Sequence, residues 1–281
     1  MTVLSIDWDF FFYRAFETNL ECKVNDRSLG CLFDWGHSEA HSEALQRILW
    51  ITRFQAFLQA GVDPRQITRH GCMSPKLFAS ELLKRIENTN YSLAYSESHL
   101  HGYKTICEIF DENYEEPLSV IHFDAHHDLG YGSKERNEEG RLTEYDCSNW
   151  LLAALEQGMV SDLTVVYPDW RGRYEIESDN LAHLEYYNIQ FTTWTEWKEK
   201  TQQTKLDVSA IHLARSGAWV PPWFDKEFEE FMFSLNAVTF TCIECEEADS
   251  RTAHACTPRK WEDPPALEDM LQIPIPENRD V

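Results

Sequence analysis

Short apolar runs alternate with longer segments of helical period along most of this chain. Runs rich in β-branched and aromatic residues at 3–8, 66–71, 91–97, 118–124, 163–168, 188–194, 208–213 and 237–245 predict strands. Between them, 38–60, 76–88, 101–112, 147–158, 178–187 and 224–234 predict helices. In the first of these, Leu45, Ile48, Leu49, Thr52, Phe54 and Leu58 form a broad apolar stripe, which Gly61 and Pro64 close. Such alternation builds βαβ units, and hence an α/β fold with a mainly parallel sheet of about eight strands covered by helices on both faces. A single domain over 1–260 is expected, with no repeat of fixed period. Residues 261–281 carry Pro264, Pro265, Pro274 and Pro276 among many acids, which predicts a tail and no strand.

Composition narrows the function. The 281 residues are 43% hydrophobic and 13% aromatic, enough for a sizeable core. Against 25 basic residues stand 48 acidic ones, a formal net charge of −23. That field repels phosphate backbones, so nucleic acid is a poor partner. It draws in metal ions, guanidinium and amine groups, or basic peptides. The start, MTVLSIDWDFFF, lacks the basic opening and unbroken apolar core of a secretory signal. No apolar stretch reaches membrane-spanning length, and the mean hydropathy is −0.48. Eight cysteines, at 22, 31, 72, 107, 147, 242, 245 and 256, are too sparse for a disulfide scaffold, so the reducing cytosol is the expected compartment. Cys242, Cys245, His254 and Cys256 offer a zinc set, but TFTCIEC alternates like a strand, which favours ordinary buried thiols.

The chemistry concentrates where apolar strands end. LSVIHFDAHHD runs from 118 to 128, and an extended strand would send Asp124, His126 and Asp128 to one side. Asp7 and Asp9 close the first strand in the same way. Two carboxylates in an apolar setting are costly to desolvate unless a cation neutralises them. A third strand end, Tyr95-Ser96-Glu97-Ser98-His99-Leu100-His101, supplies either His99 or His101. The inventory is Asp7, Asp9, His99, Asp124, His126 and Asp128, suited to two divalent ions. Donors without thiolate favour Mn²⁺, with a mononuclear zinc site as the other arrangement. The charged loop 133–146 would rim such a site. Trp35, Trp170, Trp219 and Trp223 fall in predicted loops, where indoles could line a groove for an extended peptide. His37 and His41 stand one helical turn apart at a helix start and lack the glutamate of a zinc-protease helix.

These motifs resemble those of a known superfamily. Asp124-Ala125-His126-His127-Asp128 matches the DAHxD motif of the arginase/ureohydrolase family, and Ser5-Ile6-Asp7-Trp8-Asp9 matches its SxDxD motif. The likeness is closer to an arginase-related bacterial branch that opens on an IDxDFF strand and includes peptide arginases. Glu97-Ser98-His99, Ile121 to Gly130, Ser148-Asn149-Trp150-Leu151 and Arg215-Ser216 to Pro222 carry it further. The resemblance implies a binuclear Mn²⁺ centre that ionises water for attack on a guanidinium carbon. It implies a late-strand glutamate on the guanidinium, Glu244 first and Glu246 second; the expected catalytic residues are Asp128, His127 and Glu244, with Asn149 and Trp219 also on the substrate. Two departures stand out. The SxDxD strand opens this chain, where in arginases it follows DAHxD, and a permuted order can still join the same strand ends in one sheet. The arginase segment ending in a proton-shuttling histidine reads Ser148-Asn149-Trp150-Leu151-Leu152 here, leaving His127, His101 and His37 as substitutes.

Three functions are therefore in view: a manganese peptide arginase yielding ornithine and urea, a zinc-dependent deacylase of the same fold, and a non-catalytic metal-dependent binder of basic peptides.

Overall fold

The computed structural model describes residues 1–12, 23–24, 27–28, 73–112, 116–130, 142, 144–171, 184–217, 220 and 224–243. Its strands are β1 (Thr2–Asp7), β2 (Lys23–Val24), β3 (Arg27–Ser28), β4 (Ser92–Ser96), β5 (Leu118–Phe123), β6 (Val160–Tyr167), β7 (Asn188–Thr193), β8 (Val208–Ala214) and β9 (Thr239–Cys242). Seven of them form one sheet in the order β7-β6-β5-β1-β8-β4-β9, and every neighbouring pair is parallel. β2 and β3 pair separately as a short antiparallel ladder. The helices are α1 (Pro75–Leu83), α2 (Gly102–Glu112), α3 (Trp150–Glu156), α4 (Trp194–Lys200) and α5 (Asp225–Ser234).

Strand alternation sorts the core into two layers. Leu4, Ile6, Ile121, Phe123, Ile211 and Leu213 face α1, α4 and α5 through Phe78, Leu82, Trp194, Trp197, Phe228 and Phe231. Val3, Val120, Leu163, Val165 and Ala210 face α2 and α3 through Ile106, Ile109, Trp150 and Leu151. Helices thus cover both faces, as the periodicity predicts, and the sheet is parallel throughout. Aromatic packing is dense on the first face, where Phe78 meets Phe11, Phe123 and Trp194 at centroid separations of 5.2, 5.2 and 4.7 Å.

Connections place β1 at the switch. The chain goes from β1 to β4 on one side, returns to β5 on the other flank of β1, moves outward to β6 and β7, and comes back to β8. Parallel α/β sheets bind ligands beyond the carboxyl ends at such a reversal.

Two expectations are corrected. The run 188–194 ends at Thr193, because Thr193 and Glu196 form a reciprocal capping box that starts α4. Residues 184–187 form a turn in place of the end of a helix over 178–187, whose remainder lies outside the described residues. So do the predicted strand 66–71, the helix 38–60 and the tail 261–281. Among the described residues Cys107 is a free thiol, and no helix is long and apolar enough to cross a membrane.

Candidate metal centre

The backbone ladder sets the site. β1 and β5 pair with Ser5 opposite His122 and Ile6 opposite Phe123, so the next residues, Asp7 at the last position of β1 and Asp124 just past β5, stand side by side at the carboxyl edge of the sheet. Each carboxylate then curls its own chain. Asp7 Oδ1 accepts the Asp9 N–H at 2.9 Å, and Asp124 Oδ1 accepts the His126 N–H at 2.8 Å. These are matching Asx-type turns. The DAHHD segment is therefore a turn beyond β5, and its ligands do not converge by alternating along an extended strand. Asp128 completes the bend with φ 52°, in the left-handed region that a side chain normally avoids.

Two ligand sets result: His99, His122, Asp124 and Asp128, and Asp9, Asp124 and His126; within each, one donor atom per residue lies within 4.8 Å of the others. His99 Nδ1 is 2.9 Å from Asp124 Oδ2, 3.1 Å from Asp7 Oδ2 and 3.3 Å from Asp128 Oδ2. His122 Nε2 is 3.2 Å from Asp124 Oδ2. On the other side His126 Nδ1 stands 3.2 Å from Asp124 Oδ1 and 3.4 Å from Asp9 Oδ2. Asp124 thus turns one oxygen to each set. Asp7 borders the first set through His99 and is held by the Ser216 hydroxyl, which donates to its Oδ2 at 2.6 Å. All of these residues are buried.

Protonation follows from crowding. Burial first, and the charges of Asp7 and Asp9 next, push the Asp124 carboxyl well above its ordinary range. Asp128 is likewise well above its range, through burial and then Asp124, with His99 and the Trp150 indole pulling it back. Burial would lower His99, but Asp7, Asp128 and Asp9 hold it above its usual value. His122 and His212 lie well below theirs, from burial and then the neighbouring His99. Two carboxylate charges about 4 Å apart repel by about 4 kcal/mol at an effective dielectric of about 20. Set against a typical domain stability of about 5–15 kcal/mol, several such pairs call for protons or a cation.

The donor set fits a divalent cation. Asp124 Oδ2 and both ring nitrogens of His122 are buried without a hydrogen-bond partner, and Asp124 Oδ2 faces His122 Nε2. Buried polar groups of this kind are ordinarily satisfied, and an ion between them would satisfy Asp124 Oδ2 and His122 Nε2. Partners around the ligands are already placed. Ser5 Oγ lies 2.6 Å from His99 Nε2, and Trp150 Nε1 donates to Asp128 Oδ2 at 2.6 Å. His212 lies on the same rung as Ser5; Ser96 Oγ donates to the Ser98 carbonyl, so it accepts from His212 Nε2 at 2.9 Å.

Of the residues expected from sequence, Asp9, His99, Asp124, His126 and Asp128 enter the two sets, and Asp7 adjoins them. His122 was not expected, since it sits inside an apolar strand and reads as core. His99, not His101, reaches the aspartates; His101 lies at the end of the 3-10 turn His99–His101, lowered by burial and by Lys104. His127 is fully buried, and its Nδ1 accepts the Leu129 N–H at 3.0 Å, so it joins neither set. Asn149 is buried beside the DAHHD turn and accepts the Asp146 N–H at 2.7 Å. Trp170 donates to the Phe10 carbonyl at 3.2 Å. Glu244, Glu246, Trp219, His37, His41, Trp35 and Trp223 lie outside the described residues.

No protein-family model, curated protein or solved structure matches this chain. What the centre can do is therefore read from its own geometry: a buried cluster of histidines and aspartates that could hold a metal ion.

Proposed function

We propose that the chain is a metal-dependent hydrolase of arginase type, acting on arginine side chains of a peptide to give ornithine and urea. The observation that supports this above all is Asp124, with Oδ1 toward His126 and Oδ2 toward His99 and His122. A carboxylate reaching two ligand sets is what a pair of ions with a shared ligand requires. His99, His122, Asp124 and Asp128 would hold one ion, and Asp9, Asp124 and His126 the other. Carboxylates and imidazoles without thiolate suit Mn²⁺ and Zn²⁺, and the resemblance to arginases selects manganese. When bound, such ions ionise water near neutral pH and stabilise charge developing at the attacked carbon.

The chain's own residues supply the rest. Trp150 holds Asp128 through Oδ2, leaving Oδ1 to take the proton of the attacking water and pass it to the departing amine. Ser5 orients His99 so that Nδ1 faces the aspartates. Water adds at the guanidinium carbon, the bond from that carbon to the side-chain nitrogen breaks, and the nitrogen leaves as an ammonium. Charge is conserved, and urea is the neutral product. A net charge of −23 attracts a cationic peptide, and Glu244 is the acid the sequence offers for the guanidinium.

The test is direct. The Mn²⁺-loaded protein is incubated with free arginine and with arginine-bearing peptides, and urea and peptide mass are followed. Urea together with ornithine in the peptide, absent in an Asp124→Ala variant of unchanged circular dichroism, supports the reading. Cleavage of acyl-lysine peptides without urea from any arginine substrate replaces it with an amide hydrolase. Binding of basic peptides without turnover of either kind replaces it with a binding protein.

A further inference from the structure

We propose that the buried ion cluster Glu97–Arg215–Asp225 positions the candidate metal centre, holding the turns after β4 and β8 so that Ser216 fixes Asp7 and His99 meets its aspartates. This rests on the metal reading above and extends it to residues in neither ligand set. Glu97, Arg215 and Asp225 are only 2%, 7% and 8% exposed. Arg215 Nε donates to Glu97 Oε2 at 2.7 Å, Nη2 donates to the same oxygen, and Nη1 stands 3.5 Å from Asp225 Oδ2. Burial would lower Arg215, but Glu97 and then Asp225 more than restore its charge.

The main chain ties the same two turns. Arg215 N–H donates to the Ser96 carbonyl and Ser216 N–H to the Glu97 carbonyl, each at 2.9 Å. These bonds carry the ladder past its last strand pair, Ser96 and Ala214. On the β4 side the next residue, Ser98, accepts the Leu100 N–H at 3.2 Å and opens the turn that begins with His99. On the β8 side Ser216 adopts φ 49° and donates its hydroxyl to Asp7 Oδ2 at 2.6 Å. Asp225 is the first residue of α5, so that helix is anchored to the same guanidinium.

Fold stability is a poor account of these charges. Three ionised groups pay heavily for desolvation, and an apolar replacement of a buried ion pair is often as stable or more so. A planar guanidinium fixes the direction of its partners, which an apolar contact does not. Ser216 argues the same way. Its backbone conformation suits glycine, yet a serine stands there, and its hydroxyl reaches Asp7.

The experiment measures Mn²⁺ affinity by calorimetry and thermal stability side by side. Variants are Ser216→Ala, Ser216→Gly and Arg215→Lys. Arg85→Lys is the control, another buried arginine that bonds to Thr201 and the Lys198 carbonyl away from the centre. The expected result is about 10- to 100-fold weaker Mn²⁺ binding in all three variants. Ser216→Gly melts above Ser216→Ala while losing the same affinity, and Arg85→Lys loses stability without losing affinity. Should Arg215→Lys fail to fold, the two Ser216 variants decide. Ser216 variants that bind Mn²⁺ as tightly as the wild type overturn the positioning role and leave the metal reading standing. A wild-type chain that binds neither Mn²⁺ nor Zn²⁺ overturns both.

Discussion

Trp150 and Asp128 are joined by a hydrogen bond from indole Nε1 to carboxylate Oδ2, 2.6 Å long and buried at both ends. The main chain reinforces it, because the Leu151 N–H donates to the Asp128 carbonyl at 3.2 Å. The start of α3 thereby holds the left-handed corner of the DAHHD turn. Trp150→Phe keeps most of the ring and removes the donor. A buried acceptor deprived of its partner costs about 1–3 kcal/mol. The variant should melt lower and bind Mn²⁺ about tenfold more weakly. Unchanged melting and affinity would separate Trp150 from the centre.

Gly102 makes room for that indole. A Cβ at Gly102 would lie 2.7 Å from Trp150 Cη2, and the ring is wedged by its own hydrogen bond. Gly102→Ala should therefore cost about 1–3 kcal/mol through overpacking, alter the near-ultraviolet dichroism of tryptophan and weaken metal binding. Gly158→Ala is the counterpart: φ is +74° with nothing within 4 Å, so only backbone strain of about 1–2 kcal/mol is expected. Equal effects of the two variants on tryptophan dichroism would contradict the wedge.

Asp124 belongs to both ligand sets, while His126 belongs to one. Metal content of the desalted protein should then fall from two ions to none in Asp124→Ala and from two to one in His126→Ala. Elemental mass spectrometry measures this. An Asp124→Ala chain that retains one tightly held ion would show that the carboxylate is not shared.

Stability should depend on pH in a way that metal reverses. In the metal-free chain Asp124 and Asp128 are raised well above the ordinary range by burial, then by neighbouring acids. The folded state keeps protons that the unfolded chain releases. This contribution is complete below about pH 4 and is lost as pH rises through the folded pKa values. His122 and His212, depressed by burial, act oppositely: their contribution is present above about pH 6.5 and is lost as pH falls. On the proposed reading Mn²⁺ would take the place of the aspartate protons, so its thermal stabilisation should grow from pH 5 to pH 8. Melting curves with and without Mn²⁺ across that range are the check, and a shift that shrinks with rising pH would refute the coupling.

Much of the site was legible in the chain because ionisable residues at the end of an apolar strand are conspicuous. DAHHD and SIDWD stand out for that reason, and strand order could be left open. The mode of convergence was not legible. An extended strand and an Asx turn share the spacing D-x-H, and only the folded carboxylate, accepting its neighbour's N–H, tells them apart. His122 was hidden because one imidazole in an apolar run looks like core. Trp150 reads as a helix start, and its indole reveals its role only when the DAHHD turn comes back against α3. The start of α4 could have been read: Thr193 and Glu196 have capping-box spacing, masked by the apolar run before them.

The place of β1 carries one more consequence. This strand opens the chain, yet it lies between β5 and β8, so the atoms that would surround an ion are gathered from segments far apart along the polypeptide. An ion can find its full set of donors only after the middle of the sheet has zipped shut. Ion capture would then act as a latch on the finished fold, and a chain in which β1 had mispaired would stay unloaded.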